Sequence, residues 1–146
     1  MTDIIVREAA VSDIENIMDL ERGSIVHPWA KEEFERLISD ENKLCLVIEN
    51  EGGIVCYIGA ETVLDECSIG NIVTHKDFRG MGLATKLMAA LLSELKERKI
   101  AKVFLEVEHD NVPALALYEK AGFVRYGYRR GYYGAGKDAV LMSLDL

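Results

Sequence analysis

Ser68-Ile69-Gly70-Asn71-Ile72-Val73-Thr74, then His75-Lys76-Asp77-Phe78, then Arg79-Gly80-Met81-Gly82-Leu83-Ala84-Thr85 is the stretch that decides the fold. An apolar strand runs into a polar loop, and the loop into two glycines. After them Leu83, Leu87, Met88, Leu91, Leu92 and Leu95 recur at helical spacing, which predicts a helix with one buried face running to about Arg98. Lys86, Glu94, Lys96, Glu97 and Arg98 fall mostly on the other face. The first-turn N–H groups of a helix have no internal partners and carry partial positive charge. Glycines just before them let a ligand or another backbone come close. Strand, glycine loop and helix start together make an anion site, most often for phosphate. The P-loop pattern is absent, because no Gly-Lys-Ser/Thr stands four residues after a glycine. The dinucleotide fingerprint fails too, since its third glycine falls on Thr85. By itself the glycine pair reads equally well as a tight turn.

Outward from this stretch the chain alternates strands with a few helices. Ile4 to Glu8 reads as a strand. Ser12 with Glu15 has the spacing of a capping box before Ile14, Ile17 and Met18, so a helix is expected to start there and to stop near Gly23. His27-Pro28-Trp29 is a turn, and Ala30 opens a second helix carrying Phe34, Leu37 and Ile38. Lys43–Ile48 and Ile54–Val63 are strands about the turn Glu49-Asn50-Glu51-Gly52-Gly53. Beyond the central helix, Lys102–Val107 is a strand, and Asn111-Val112-Pro113 opens a short helix that Gly122 closes. Phe123–Tyr133 and Ala139–Leu144 are the last strands, joined by Gly134–Asp138. Seven strands, mostly hairpin-connected, with helices between them, predict one α+β domain over residues 1–146: a mixed, largely antiparallel sheet with helices on its faces, three layers in all.

Composition narrows the function. The 146 residues suffice for one hydrophobic core. No apolar run is long enough to span a bilayer, and Met1-Thr2-Asp3 does not begin like a signal peptide. Cys45, Cys56 and Cys67 are odd in number and lack CxxC spacing, which suits free thiols in a reducing cytoplasm. No Cys or His cluster is spaced to hold a metal. A net charge of −8 argues against nucleic acid and for a basic polypeptide partner, or simply for solubility.

The pattern Arg79-x-x-Gly82-x-Ala84 resembles the pyrophosphate loop of the GNAT acetyltransferases, in which it binds acetyl-coenzyme A. The likeness extends over nearly the whole chain to the ribosomal-protein alanine N-acetyltransferases, the RimI family. Matching segments are His27-Pro28-Trp29, Val63-Leu64-Asp65-Glu66, Asn71-Ile72, Leu105-Glu106-Val107, Asn111 with Ala116-Leu117-Tyr118-Glu119, Gly122-Phe123, Arg129-Arg130-x-Tyr132-Tyr133 and Asp138-Ala139. The chain departs from the family at Thr74-His75-Lys76, where a hydrophobic residue followed by Asp-Pro is usual.

This resemblance implies the GNAT fold, acetyl-CoA as cosubstrate and an acceptor that is a basic protein N-terminus, that of the eighteenth small-subunit ribosomal protein. The composition read above argues against a membrane, nucleic-acid or metal partner. A wider N-terminal or lysine specificity, or a module that binds acetyl-CoA without chemistry, are the alternatives. The cosubstrate residues implied are Ile72, Val73, Thr74, Arg79, Gly80, Met81, Gly82, Leu83, Ala84, Thr85 and Asn111, with the N–H of Val73 on the oxyanion. Glu106 matches the base and Tyr118 the acid. By periodicity alone Glu106 is a solvated strand-end carboxylate, Tyr118 a core aromatic and Asn111 a helix cap. Glu108 and His109 are rival bases by position. Trp29, Arg129, Tyr132 and Tyr133 are expected to line the acceptor groove, and the three aromatics read equally as half-buried packing residues.

Overall fold

The structure is a computed structural model, and it describes residues 4–22 and 30–146. The expected helix end at Gly23 and the turn His27-Pro28-Trp29 lie outside the described residues, and so does the Trp29 assignment. Seven strands form one sheet: β1 (Ile4–Glu8), β2 (Lys43–Asn50), β3 (Gly53–Val63), β4 (Glu66–Thr74), β5 (Lys102–Glu108), β6 (Val124–Arg129) and β7 (Ala139–Asp145). Their order across the sheet is β1-β2-β3-β4-β5-β7-β6. All neighbours are antiparallel except β4 and β5, the pair joined through a helical crossover. The helices are α1 (Ile14–Arg22), α2 (Lys31–Ser39), α3 (Leu83–Glu97) and α4 (Val112–Ala121).

Strand alternation sorts the apolar residues onto two faces. Leu44, Leu46, Ile48, Ile58, Val103, Leu105 and Val107 pack under α3 and α4. Cys45, Val47, Tyr57 and Val73 pack under α1 and α2. Leu87, Leu91 and Leu95 of α3 are fully buried, as their spacing requires. Each such side chain is worth about 1.5–3 kcal/mol of burial. α1 and α2 contact β2, β3 and β4, so the part of that face made by β5, β7 and β6 carries half-exposed side chains such as Phe104 and Tyr126.

Local differences from the sequence reading have local causes. Residues Val11–Asp13 form a 3-10 turn before α1, and the Ser12–Glu15 box does not form. Asp13 takes the capping role: its carboxylate accepts the Ala10 N–H at 2.7 Å, while Arg7 of β1 grips the same carboxylate at 2.7 and 2.9 Å. A guanidinium from another element outweighs a spacing rule. The β2–β3 hairpin turns on Glu51 and Gly52 alone, both with positive φ, as a two-residue turn of this kind demands. β4 begins at Glu66 rather than Ser68. β6 ends at Arg129, so Tyr132 and Tyr133 stand in a turn and not in a strand. Gly131 causes the break, with φ of +66° and its N–H donated to the Asp138 carboxylate at 2.6 Å instead of to a neighbouring strand.

Candidate active site

The site begins at a split in the sheet. β4 and β5 are paired only over Glu66–Ser68 and Lys102–Phe104. Directly beyond, the β3–β4 register jumps from Ala60↔Ile69 to Gly59↔Asn71, which makes Gly70 the extra residue of a β-bulge. A bulge bends its strand and sharpens its twist. Here it turns β4 away from β5, and a cleft opens between Ile69–Thr74 and Leu105–Glu108.

Backbone direction along β4 follows from the register. The His75 N–H donates to Val55 C=O at 2.8 Å, and these residues stand opposite one another. Antiparallel bonding alternates, so Val73 with Tyr57 and Asn71 with Gly59 are also bonded pairs. The Val73 N–H is therefore spent on β3. It does not face the cleft, which corrects the assignment of Val73 to the oxyanion. The groups of Ile72 and Thr74 face the cleft, and the Thr74 carbonyl also accepts Arg79 Nε at 3.2 Å.

At the end of β4, His75 Nδ1 accepts the Asp77 N–H at 3.0 Å and caps a 3-10 turn, Lys76–Phe78. The glycine loop follows. Gly82 is the N-cap of α3 with φ of +76°; no side chain caps this helix, and no acid lies in its first turn. Gly80 also has positive φ, and a Cβ built on either glycine meets nothing within 4 Å. Leu83 is buried and offers only its N–H, while Met81 and Thr85 are exposed. An uncapped 15-residue helix start with open space before it suits a pyrophosphate. The unpaired edge of β4 suits an extended amide chain in the same way. The residues present therefore fit acetyl-CoA. Asn111 caps α4, accepting the Ala114 N–H at 3.3 Å.

Glu106 points to the face away from α3 and α4. Its carboxylate lies 3.8 Å from Arg129 and accepts the Tyr132 hydroxyl, which raises the Tyr132 pKa. The Arg129 guanidinium sits 5.4 Å over the Tyr132 ring, and Tyr132 packs edge-on to Tyr133 at 5.0 Å. Tyr118 belongs to the opposite face, buried in the core beneath α4 and edge-on to Phe123. Burial, then the Tyr133 hydroxyl, push Tyr118 up to about 12. Tyr133 is pushed up to about 12 as well, by burial and then by Glu106. It stands within electrostatic reach of both. Glu106 and Tyr118 thus lie on opposite faces of the sheet, with Tyr133 in electrostatic reach of both.

The turn presenting Tyr132 and Tyr133 is tethered to the end of β5. Lys137 pairs with Glu108 at 3.1 Å, His109 Nε2 meets the Gly136 carbonyl at 3.3 Å, and the His109 N–H donates to the Asp138 carbonyl at 2.9 Å. Asp138 accepts the Tyr128 hydroxyl at 2.5 Å. These contacts make Glu108 and His109 fasteners of the turn. The sequence marked Asp138 only as part of a matching segment and gave it no role; its hydrogen bonds to Tyr128 and Gly131 supply one. Sequence reasoning also missed a buried cluster in which Glu21 accepts from Tyr57 and, at 3.3 Å, from Asn71 Nδ2, tying α1 to β4 beside the cleft. Gly59 and Gly70 were the available hint of the bulge, since glycine inside a strand often marks one. Among the described residues no three His, Cys, Asp or Glu side chains gather as a metal site.

Comparison with known proteins agrees with this geometry. Residues 14–123 match the acetyltransferase (GNAT) family. The chain is 34 % identical to a Bacillus subtilis (strain 168) protein provisionally named a [ribosomal protein bS18]-alanine N-acetyltransferase, over 99 % of this chain and 97 % of that one. It is 30 % identical to the [ribosomal protein bS18]-alanine N-acetyltransferase of Escherichia coli (strain K12), over 92 % and 93 %. The crystal structure of the ribosomal-protein-S18-alanine N-acetyltransferase from Escherichia coli superposes with a TM-score of 0.90 at 28 % identity, covering 98 % of this chain and 94 % of that one. A split β4–β5 pair, a glycine-capped helix start and a full-length match leave one reading: the chain belongs to the GNAT family and is an acetyltransferase with acetyl-CoA as its cosubstrate.

Proposed function

We propose that the protein acetylates the α-amine of a protein N-terminus, and that its acceptor is that of the ribosomal protein bS18, for which the similar proteins are named. What supports this is that the β4–β5 pairing is short, with Glu106 on one face of the sheet and Tyr118 on the other, both within reach of Tyr133. Acetyl-CoA supplies the activated thioester. The first-turn N–H groups of α3 hold its pyrophosphate, the cleft-facing groups of Ile72 and Thr74 hold its amide arm, and the Asn111 carboxamide NH2 adds a donor. The acceptor enters from the face of Glu106. An α-amine has a pKa of about 7.7–8.0 against about 10.4 for a lysine, so a carboxylate acting through a water can take its proton near neutrality. That difference favours N-termini over lysine side chains. The Ile72 N–H is aimed where the oxyanion forms. Tyr118 returns a proton to the departing thiolate on the far side. Its phenol stays protonated throughout the working range, and the burial that raises it acts equally on a thiolate leaving into the same gap.

A bS18 acceptor puts the reaction in the cytoplasm, where Cys45, Cys56 and Cys67, all buried and raised by desolvation, stay reduced and inert. Incubation with acetyl-CoA and the N-terminal peptide of bS18, with products read by mass spectrometry, tests the reading. The expected product carries one acetyl group on the α-amine. Acetylation of lysine alone, or none, rejects it.

A further inference from the structure

Past the paired residues Ser68 and Phe104, the next side chains on the face toward α1 and α2 are Asn71 on β4 and Glu106 on β5, because the bulge residue Gly70 has none. They stand across from each other where the two strands part. Asn71 shares this face with Val73 and Tyr57, which pack under α1 and α2. Its Nδ2 donates at 3.3 Å to Glu21 Oε2, in the last turn of α1. The same oxygen accepts the Tyr57 hydroxyl. Glu21 and Tyr57 are fully buried. Only the NH2 end of a carboxamide can donate to such an oxygen, so Glu21 fixes which way round the Asn71 amide stands. Oδ1 is held on the other branch. Asn71 is half-buried, and among the described residues no group donates to that Oδ1. An apolar pair would join α1 to β4 as firmly as a buried carboxyl does. What the polar cluster adds is a carboxamide of defined orientation, with an open acceptor atom beside the cleft.

We propose that Asn71 is a further catalytic residue: its Oδ1 accepts a hydrogen from the acceptor α-amine, and Glu21 and Tyr57 are the positioning residues that hold it in place. The proposal rests on the N-terminal reading given above. The amine reaches the thioester neutral, with a lone pair and two hydrogens, its first proton having passed through Glu106 to solvent. Attack forms the C–N bond and makes the nitrogen cationic. One hydrogen then leaves as a proton through the water at Glu106. The C–S bond breaks, the thiolate takes the Tyr118 proton, and Tyr118 is reprotonated from solvent. The second hydrogen remains as the amide N–H of the product, and this is the one that Oδ1 holds. Asn71 exchanges no atom. Its hydrogen bond strengthens as the nitrogen gains charge, so it acts more on the transition state than on the bound amine. A secondary amine has one hydrogen at that stage, the one that must leave, and nothing to offer Oδ1.

The test uses the intact protein, acetyl-CoA and two peptides that differ only in beginning with alanine or N-methylalanine. Asn71→Leu keeps the size and removes both polar ends; Asn71→Ala covers the case in which leucine disturbs the strand. In either variant kcat/KM for the alanine peptide is expected to fall about 10- to 100-fold, as for one hydrogen bond to a group that gains charge. Acetyl-CoA affinity, read by titration calorimetry, is expected to stay unchanged, and the preference for alanine over N-methylalanine to narrow by about the same factor. Glu21→Gln lets the Asn71 amide turn round, and Tyr57→Phe loosens Glu21. Each is expected to slow the alanine peptide several-fold alone and to have no further effect once Asn71 is leucine, which a merely structural role would not produce. An unchanged alanine rate in a folded Asn71 variant overturns the proposal. So does an equal fall for both peptides, which would make Asn71 a packing residue. If the native protein acetylates no α-amine, the N-terminal reading itself fails and this proposal with it.

Discussion

Glu106 and Tyr118 are ordinary residue types whose roles come from what surrounds them. Glu106 has the Arg129 guanidinium at 3.8 Å and the Tyr132 hydroxyl beside it; Tyr118 lies on the other face among apolar groups, with the Tyr133 hydroxyl in electrostatic reach. Glu106→Gln preserves shape and removes the proposed base, and Tyr118→Phe preserves the ring and removes the proposed acid's proton. Each is expected to lower kcat by about 10²- to 10⁴-fold with acetyl-CoA affinity nearly unchanged, as steady-state kinetics and calorimetry will report. Because burial pushes the Tyr118 phenol up to about 12, no alkaline fall in kcat below pH 10 is expected from it. A limb near pH 8 that vanished in Tyr118→Phe would contradict the assignment.

Asp13 offers a pure stability test at the same scale. The Arg7 guanidinium holds its carboxyl below the usual value of 3.8. A depressed pKa stabilises the folded state above the unfolded pKa, and that stability is lost as pH falls through the folded one. Melting curves should therefore show Tm falling below about pH 4 in the native protein. Asp13→Asn should already be lower by a few degrees at pH 7, about 1 kcal/mol from cap and ion pair together, with a shallower acid decline. Neither Arg7 nor Asp13 announced this pairing in the sequence, because the partners come from a strand and a helix entrance that only folding brings together.

Elements were more legible than their ends. α3 was readable because leucine spacing is a local property, and β2, β3 and β7 because short apolar runs bounded by turn residues are. The end of β6 was not, since Tyr132 and Tyr133 have strand chemistry and only the Asp138 contact to Gly131 stops the ladder. The direction of the Val73 N–H was not either, since it depends on the β3 register and the bulge. The start of α3 yields a prediction that separates shape from charge. Asn and Asp both tolerate the left-handed backbone of Gly82, and the open space before the helix accepts either. Gly82→Asp places a negative charge beside the pyrophosphate and Gly82→Asn does not. Calorimetry is expected to give acetyl-CoA binding at least tenfold weaker in the Asp variant than in the Asn variant. Equal affinities would remove the helix terminus from the phosphate site.

Over the whole molecule, the formal charge of −8 sets a long-range field. With a basic peptide as acceptor, raising salt from about 0.05 to 0.5 M should raise KM several-fold and leave kcat nearly constant, because screening weakens encounter and not chemistry. A flat KM would confine the acidity to solubility. Strand count, mixed topology and the glycine loop could be read from residue order. The concavity between β4 and α2, where Leu37 faces Ser68 and Gly70, could not, since its lining comes from separate elements whose packing no local pattern encodes.

The short β4–β5 pairing has a consequence for how the molecule breathes. Three residue pairs, with α3 across them, join a block of β1–β4 to a block of β5–β7. Amide protons at the cleft edge of β4 have no strand across from them and should exchange with deuterium far faster than those of β3. Acetyl-CoA then behaves as a removable strand. When it binds, the Ile72 and Thr74 amides should slow together with the distal half of β5, and the two blocks should open as one cooperative unit instead of two. Hydrogen exchange followed by mass spectrometry, with and without acetyl-CoA, measures this directly. Protection confined to the glycine loop would show that the cosubstrate grips the helix start without closing the sheet.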